Sequence, residues 1–271
     1  MALTMFAPVC PIHILQELSS YIPRAMQYTL PLAHDVLEHP DEYRLFYKNK
    51  TSYRVPNCET VILDNSVIEL GNAVDIRAIA EAAELCAANV IVLPDVLMDK
   101  NATIDACTEA LNTWPKHLNH MKQPYTFMIV PQGETPEEWL ECAEYFADNP
   151  YIGWWGIGRN YKEKFNRSRL EAVQYAALLN PDRKMHLLGF SNDIKDDMLT
   201  ANHWRVDGID SAVPIRAASL NLKMRLTLDK VLPPRGNWWN DPETVYTHMM
   251  ADNYKRVSHW INYRSLYEDL P

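Results

Sequence analysis

Short apolar runs alternate with longer amphipathic stretches along this chain. The polar tips of the runs recur about every 29 residues, close to the roughly 31 per unit of an eight-unit barrel. With a length of 271 residues, this rhythm predicts an α/β fold, a (β/α)8 barrel in which residues 1–271 make a single domain. An open doubly wound sheet is the rival, because strands buried on both faces read as continuous apolar runs in either architecture.

The runs are TVILDNS (60–66), NVIVLPD (89–95), YTFMIVPQG (125–133), YIGWWGIG (151–158), KMHLLGF (184–190) and VDGIDSA (206–212). Each is short, rich in β-branched or aromatic residues, and ends in a polar or glycine-bearing tip, which is how a strand reads. QYTLPLAHD (27–35) is an earlier unit of the same kind, and the eighth strand has no clear position. Between the runs lie DIRAIAEAAELCAA (75–88), TPEEWLECAEYFADN (135–149) and NRSRLEAVQYAALLN (166–180), helices expected to be capped by their opening Asp, Thr and Asn. After Pro214 the rhythm fades into a basic, tryptophan-bearing stretch and a final helix-like segment over 241–268.

Composition removes several classes. A charge-free run such as Leu85 to Pro94 is half of the ~20 residues a membrane span needs, and no basic region followed by an apolar one opens the chain, so membrane and secreted readings fall away. Five cysteines, at 10, 58, 86, 107 and 142, form no Cys-x-Cys or Cys-x-x-Cys pair, which argues against a disulfide framework and a cysteine-rich zinc site. They read as reduced thiols in a cytosol-like compartment. The nine histidines, His186 among them, show no metal-ligand spacing and read as structural.

In a barrel, strand tips converge on one mouth. The tips here are Asp64, Asp95, Gln132, the Gly156 and Gly158 pair, and Asp210. Three carboxylates, an amide and two glycines suit a glycosidic bond: one carboxylate attacks the anomeric carbon, another moves the proton, and the rest read a planar base. The plainer alternative is that an Asp after a strand caps a helix or sets a turn. Gln132, in a Pro-Gln-Gly turn, has no such reason to be there, whereas Gly156 has one in relieving crowding beside Trp154 and Trp155.

Taken in order, Asp64-Asn65-Ser66, Pro94-Asp95, Val130-Pro131-Gln132-Gly133, Gly156-Ile157-Gly158, Leu188-Gly189 and Asp210-Ser211-Ala212-Val213-Pro214-Ile215-Arg216 resemble the tRNA-guanine transglycosylase superfamily. The compact chain is most similar to its phage-type DpdA branch, which puts 7-deazaguanine bases into DNA. The resemblance implies a TIM barrel that exchanges guanine for a 7-deazaguanine such as preQ0 without a cofactor. Asp210 would be the nucleophile and Asp64 the acid/base carboxylate, the two lying close together. Asp95 and Gln132, with Gly133, Gly156, Ile157 and Gly158, would form the base pocket. The family's glycines after the first aspartate are replaced by Ser66-Val67, and a following glutamine by Glu69. The cysteine and histidine zinc cluster of the tRNA enzymes has no counterpart, so a zinc-binding subdomain is not expected. The partners implied are DNA, guanine and the 7-deazaguanine base, with a homodimer as the assembly and, for a phage enzyme, the host cytoplasm as the location.

A net charge of −9 is awkward for a nucleic-acid enzyme. Two segments are locally basic, 159–169 and 214–240. From them Arg159, Lys162, Lys164, Arg167, Arg216, Lys230 and Arg235 would contact phosphates, with Trp238 and Trp239 stacking on bases; the plainer alternatives are solvated helix faces and core or interface tryptophans. Three other readings stand beside the DNA enzyme: a tRNA-directed enzyme with the same chemistry, a catalytically idle barrel that binds nucleic acid or subunits, and a sugar-cleaving hydrolase.

Overall fold

The computed structural model describes residues 3–48, 60–119, 124–225 and 246–263. Within them eight parallel strands form a nearly closed barrel with helices between them. The strands are β1 (Met5–Pro8), β2 (Tyr28–Thr29), β3 (Thr60–Leu63), β4 (Val90–Val92), β5 (Thr126–Ile129), β6 (Ile152–Gly158), β7 (Lys184–Leu188) and β8 (Gly208–Ser211). Their order is β1-β8-β7-β6-β5-β4-β3-β2, and β1 and β2 at its two ends lie against each other. The choice between barrel and open sheet is thereby settled for the barrel.

Helices follow the strands: α1 (Ile12–Tyr21), α2 (Ala33–Glu38), α3 (Pro40–Lys48), α4 (Val67–Leu70), α5 (Ile76–Leu85), α6 (Lys100–His117) and α7 (Pro136–Phe146) in the first half. In the second half they are α8 (Asn160–Phe165), α9 (Arg169–Leu179), α10 (Ile194–Ala201), α11 (Val213–Ser219) and α12 (Thr247–Trp260). Asp75 and Thr135 cap α5 and α7 as the sequence predicts, accepting bonds from Arg77 N and Glu138 N. The cap of α9 is Ser168 rather than Asn166, because Asn166 takes a left-handed conformation that ends the short α8 first. Among the described residues no helix is long and apolar enough to cross a membrane.

Two apolar layers explain why the strands show no alternation in sequence. Inside the barrel, Ala7, Tyr28, Ile62, Val90, Val92, Met128 and Trp154 pack together. Their strand neighbours Phe6, Val61, Ile91, Phe127 and Trp155 face the helices. Both faces of each strand leave water, so both are apolar. The strand without a clear position in sequence is β1, which pairs with β8 from Met5↔Gly208 to Pro8↔Ser211. It is held from behind by α12, whose C-terminal side presents Asn262 to the Thr4 backbone, Thr4 N donating to Oδ1 at 2.9 Å and Nδ2 donating to Thr4 O at 3.0 Å.

Gly208 leaves no room for a side chain: a Cβ there would fall on the ring of Tyr28 from β2. Overpacking a core typically costs 1–3 kcal/mol. Gly208→Ala is expected to lower the unfolding free energy by about 2 kcal/mol in urea denaturation, whereas an unchanged value would mean that Tyr28 does not fill the barrel at that level.

Candidate active site

At the C-terminal end of the barrel a cleft of about 660 Å³ opens between the strand tips, within the ~300–1,000 Å³ of small-molecule sites. Asp64, Asp95, Gln132, Gly158 and Asp210 all line it. Its floor is apolar, with Leu30, Val92, Val130 and Leu188, and its rim carries Ile68, Leu97 and Met98.

Asp210 is 6% exposed. Its Oδ1 is 2.8 Å from His186 Nε2 and accepts the Gly189 N–H at 3.0 Å. Both partners belong to β7 or the turn after it, so this aspartate neither caps α11 nor sets its own turn. Gly189 adopts φ +65°, a left-handed conformation that suits glycine and lets its amide point at the carboxylate. The turn is braced from beneath by Arg169, fully buried and paired with Asp197 at 2.9 Å. Arg169 donates to the carbonyls of Gly189 at 2.7 Å and Leu188 at 3.2 Å, and to that of Ile157.

Asp64 does serve its turn: Oδ1 accepts the Ser66 N–H at 2.7 Å. Ser66 stands at φ +62°, a conformation that costs a non-glycine residue roughly 1–2 kcal/mol. Its hydroxyl lies 3.0 Å from His34 Nδ1, which helps hold it there. Asp64 is half-buried and reaches the cleft from the end of β3, where its main chain bridges to Leu32. Around the ring, β3 and the Asp210-bearing β8 are separated by β2 and β1.

Asp95 and Gln132 form one buried polar cluster. Asp95 accepts from Asn65 Nδ2 at 2.8 Å on Oδ1 and from Gln132 Nε2 at 2.6 Å on Oδ2. Gln132 Oε1 in turn accepts from Met98 N at 3.2 Å and Asn160 Nδ2 at 2.7 Å. Asn160 Oδ1 is buried and has no partner among the described residues. Burial pushes the Asp95 carboxyl up to about 6, against the opposing pull of the Asn65 and Gln132 bonds. The cluster therefore offers a bound molecule carboxylate and amide oxygens as acceptors and a second N–H of Gln132 as donor.

The other expected base contacts lie elsewhere. Ile157 packs in the strand–helix core, and Gly133 and Gly156 are outside the cleft lining. A Cβ on Gly133 would meet Trp139 N at 2.6 Å, and one on Gly156 would meet Val130 at 2.9 Å and Met128 at 3.0 Å, so both glycines serve close packing. Of the basic residues, Arg159, Lys164 and Arg216 line the cleft. Lys162 and Arg167 do not, their charges being engaged by Asp193 at 3.4 Å and Glu171 at 3.7 Å. Lys230, Arg235, Trp238 and Trp239 lie outside the described residues. Asn65, quoted from the sequence only as part of a motif, and Asn160, not singled out, also line the cleft; His186, read from the sequence as structural, and Tyr28 lie behind Asp210. The one signal for the last two was a polar residue two positions before an inward-facing leucine, Tyr28 before Leu30 and His186 before Leu188.

A raised carboxyl pKa has a stability sign. Between about pH 4 and 6 the unfolded chain has released the Asp95 proton and the fold still holds it, so stability falls as pH rises through that window, by up to about 3 kcal/mol from this group. We expect the Asp95 carboxyl carbon to titrate near pH 6 by NMR, and the fall to be smaller by that amount in Asp95→Asn. Titration near 4 would mean that the cluster is open to water.

Searches against protein-family models and against curated proteins returned no match to this chain.

Proposed function

We propose that this cleft exchanges a guanine in DNA for a 7-deazaguanine base of the preQ0 type, by double displacement through an ester between Asp210 and the deoxyribose. The observation that carries the reading is that two carboxylates from different strands, Asp64 and Asp210, line one cleft with the Asp95–Gln132 cluster. The ordered strand-tip motifs that resemble the transglycosylases support it, and they supply the choice of DNA and of the deazaguanine.

Each group has a task. The guanine edge carries N–H donors beside a carbonyl, which complements a carboxylate beside an amide donor, here Asp95 and Gln132. Asp210 attacks C1′ through Oδ2; the C1′–N9 bond breaks, and guanine leaves with a proton from the Asp64 carboxyl. The deazaguanine then gives its N9 proton back to Asp64, and N9 attacks C1′ from the face guanine left. The ester bond breaks and the Asp210 carboxylate is restored, so two inversions give net retention. A carbon at position 7 cannot be protonated as the guanine nitrogen can, which handicaps the reverse reaction.

A base inside a duplex cannot present C1′ to a buried aspartate, so the nucleotide is flipped out or supplied single-stranded. Arg159, Lys164 and Arg216 stand at the rim where the flanking phosphates would pass.

Incubation with labelled preQ0 and either plasmid DNA or tRNA tests the proposal. We expect label in DNA and none in Asp210→Asn. That variant keeps an oxygen for the His186 and Gly189 donors and should melt no lower than the parent. Label confined to tRNA would reject the substrate, and full incorporation by Asp210→Asn would reject the nucleophile. As pH falls through about 6, where Asp95 takes up its proton, the KM for the base should rise.

A further inference from the structure

A buried hydrogen-bonded line runs under the cleft, and none of the roles above uses it. Tyr28 reaches across the barrel interior from β2, and its hydroxyl lies 2.7 Å from Nδ1 of His186. The Nε2 atom of that ring lies 2.8 Å from Asp210 Oδ1. The Tyr28 and His186 rings are stacked with centroids 5.6 Å apart and planes 29° apart, and His186 is fully buried. Three strands thus contribute one residue each, and Gly208 leaves the room for Tyr28 that any side chain would take.

The simplest alternative is a set of core polar groups that merely satisfy one another, as buried polar groups must. Direction separates the two. Burial pushes the Tyr28 hydroxyl well above its ordinary pKa, so it keeps its proton. Among the described residues the acceptor for that proton is His186 Nδ1. The imidazole then carries its own proton on Nε2, aimed at Asp210. With the Gly189 amide, Oδ1 receives two donors, whereas Oδ2 receives none among the described residues.

We propose that Tyr28 and His186 are positioning residues: the tyrosine hydroxyl fixes the histidine tautomer, and the histidine pins one oxygen of Asp210 so that the other is presented to the sugar. This rests on the reading of Asp210 as the nucleophile. The two donors bind a carboxylate more strongly than the carbonyl oxygen of an ester, so they also favour release of the sugar to the incoming base in the second displacement.

The test has two arms. In nitrogen-15 NMR of the unliganded protein, His186 should be a single tautomer protonated at Nε2, and Tyr28→Phe, which keeps the ring and its packing, should show both tautomers. In base exchange, turnover should fall about 10-fold in Tyr28→Phe and about 100-fold in His186→Leu, within the ~100-fold that misplacing a reacting group can cost. The KM for the base should stay within about twofold, and His186→Gln, which carries an amide N–H, should recover part of the loss. The covalently occupied fraction of the enzyme should rise in His186→Leu as turnover falls. A proton on Nδ1 in the parent, or parental turnover in both Tyr28→Phe and His186→Leu, would overturn the proposal. If the parent exchanges no base with any nucleic acid, the reaction assigned to the cleft fails, and the NMR arm still decides whether the tyrosine sets the tautomer.

Discussion

A carboxylate taken into a barrel interior needs donors in place of the water it has lost, and Asp210 finds one of its donors on the neighbouring strand and the other in the turn that follows it. The β7–β8 register pairs His186 with Gly208, which sets the imidazole two residues below the carboxylate and lets Nε2 rise to Oδ1. The left-handed turn at Gly189 brings the second donor. Arg169 and Asp197 hold that turn without touching the cleft, and removing either partner of a buried pair strands a charge. The candidate nucleophile therefore owes its orientation to the end of β7 more than to its own strand.

The two sides of the cleft are built differently. On one side Asp95, Asn65, Gln132 and Asn160 bind one another, so the polar groups are aligned before any ligand arrives. Prior alignment reduces the ordering cost of binding. On the other side Asp210 shows one engaged oxygen and one that accepts no hydrogen bond among the described residues. Four carboxylates in one hollow, Asp64, Asp95, Glu163 and Asp210, repel an anionic polymer; Arg159, itself 3.9 Å from Glu163, Lys164 and Arg216 oppose that field where phosphates would approach.

Much of the fold was legible because it depends on local signals. Six strands announced themselves as short apolar runs, and Asp75 and Thr135 marked the starts of α5 and α7. The strand β1 escaped because MFAP is four residues long and acquires its meaning only by pairing with β8, about 200 residues away. Asn166 misled because Ser168, two residues on, is an equally good cap and the short helix that Asn166 ends was not visible in the sequence. In the site, Asp64, Asp95, Gln132 and Asp210 stood out as polar residues ending apolar runs, and all four line the cleft. Gly133, Gly156 and Ile157 were grouped with them by the family resemblance; in the structure they lie outside the cleft lining, in close packing. Tyr28, His186 and Asn160 were hidden because their partners lie on other elements of the fold, a kind of pairing that no spacing along the chain encodes.

The most direct measurement is the identity of the atom that holds the sugar. The protein would be mixed with guanine-containing DNA, denatured before any incoming base is added, digested, and read by mass spectrometry. The account predicts deoxyribose-linked DNA on the peptide spanning β8 and α11, attached at Asp210. Attachment at Asp64 or Asp95, or base exchange with no adduct on any aspartate, would contradict it.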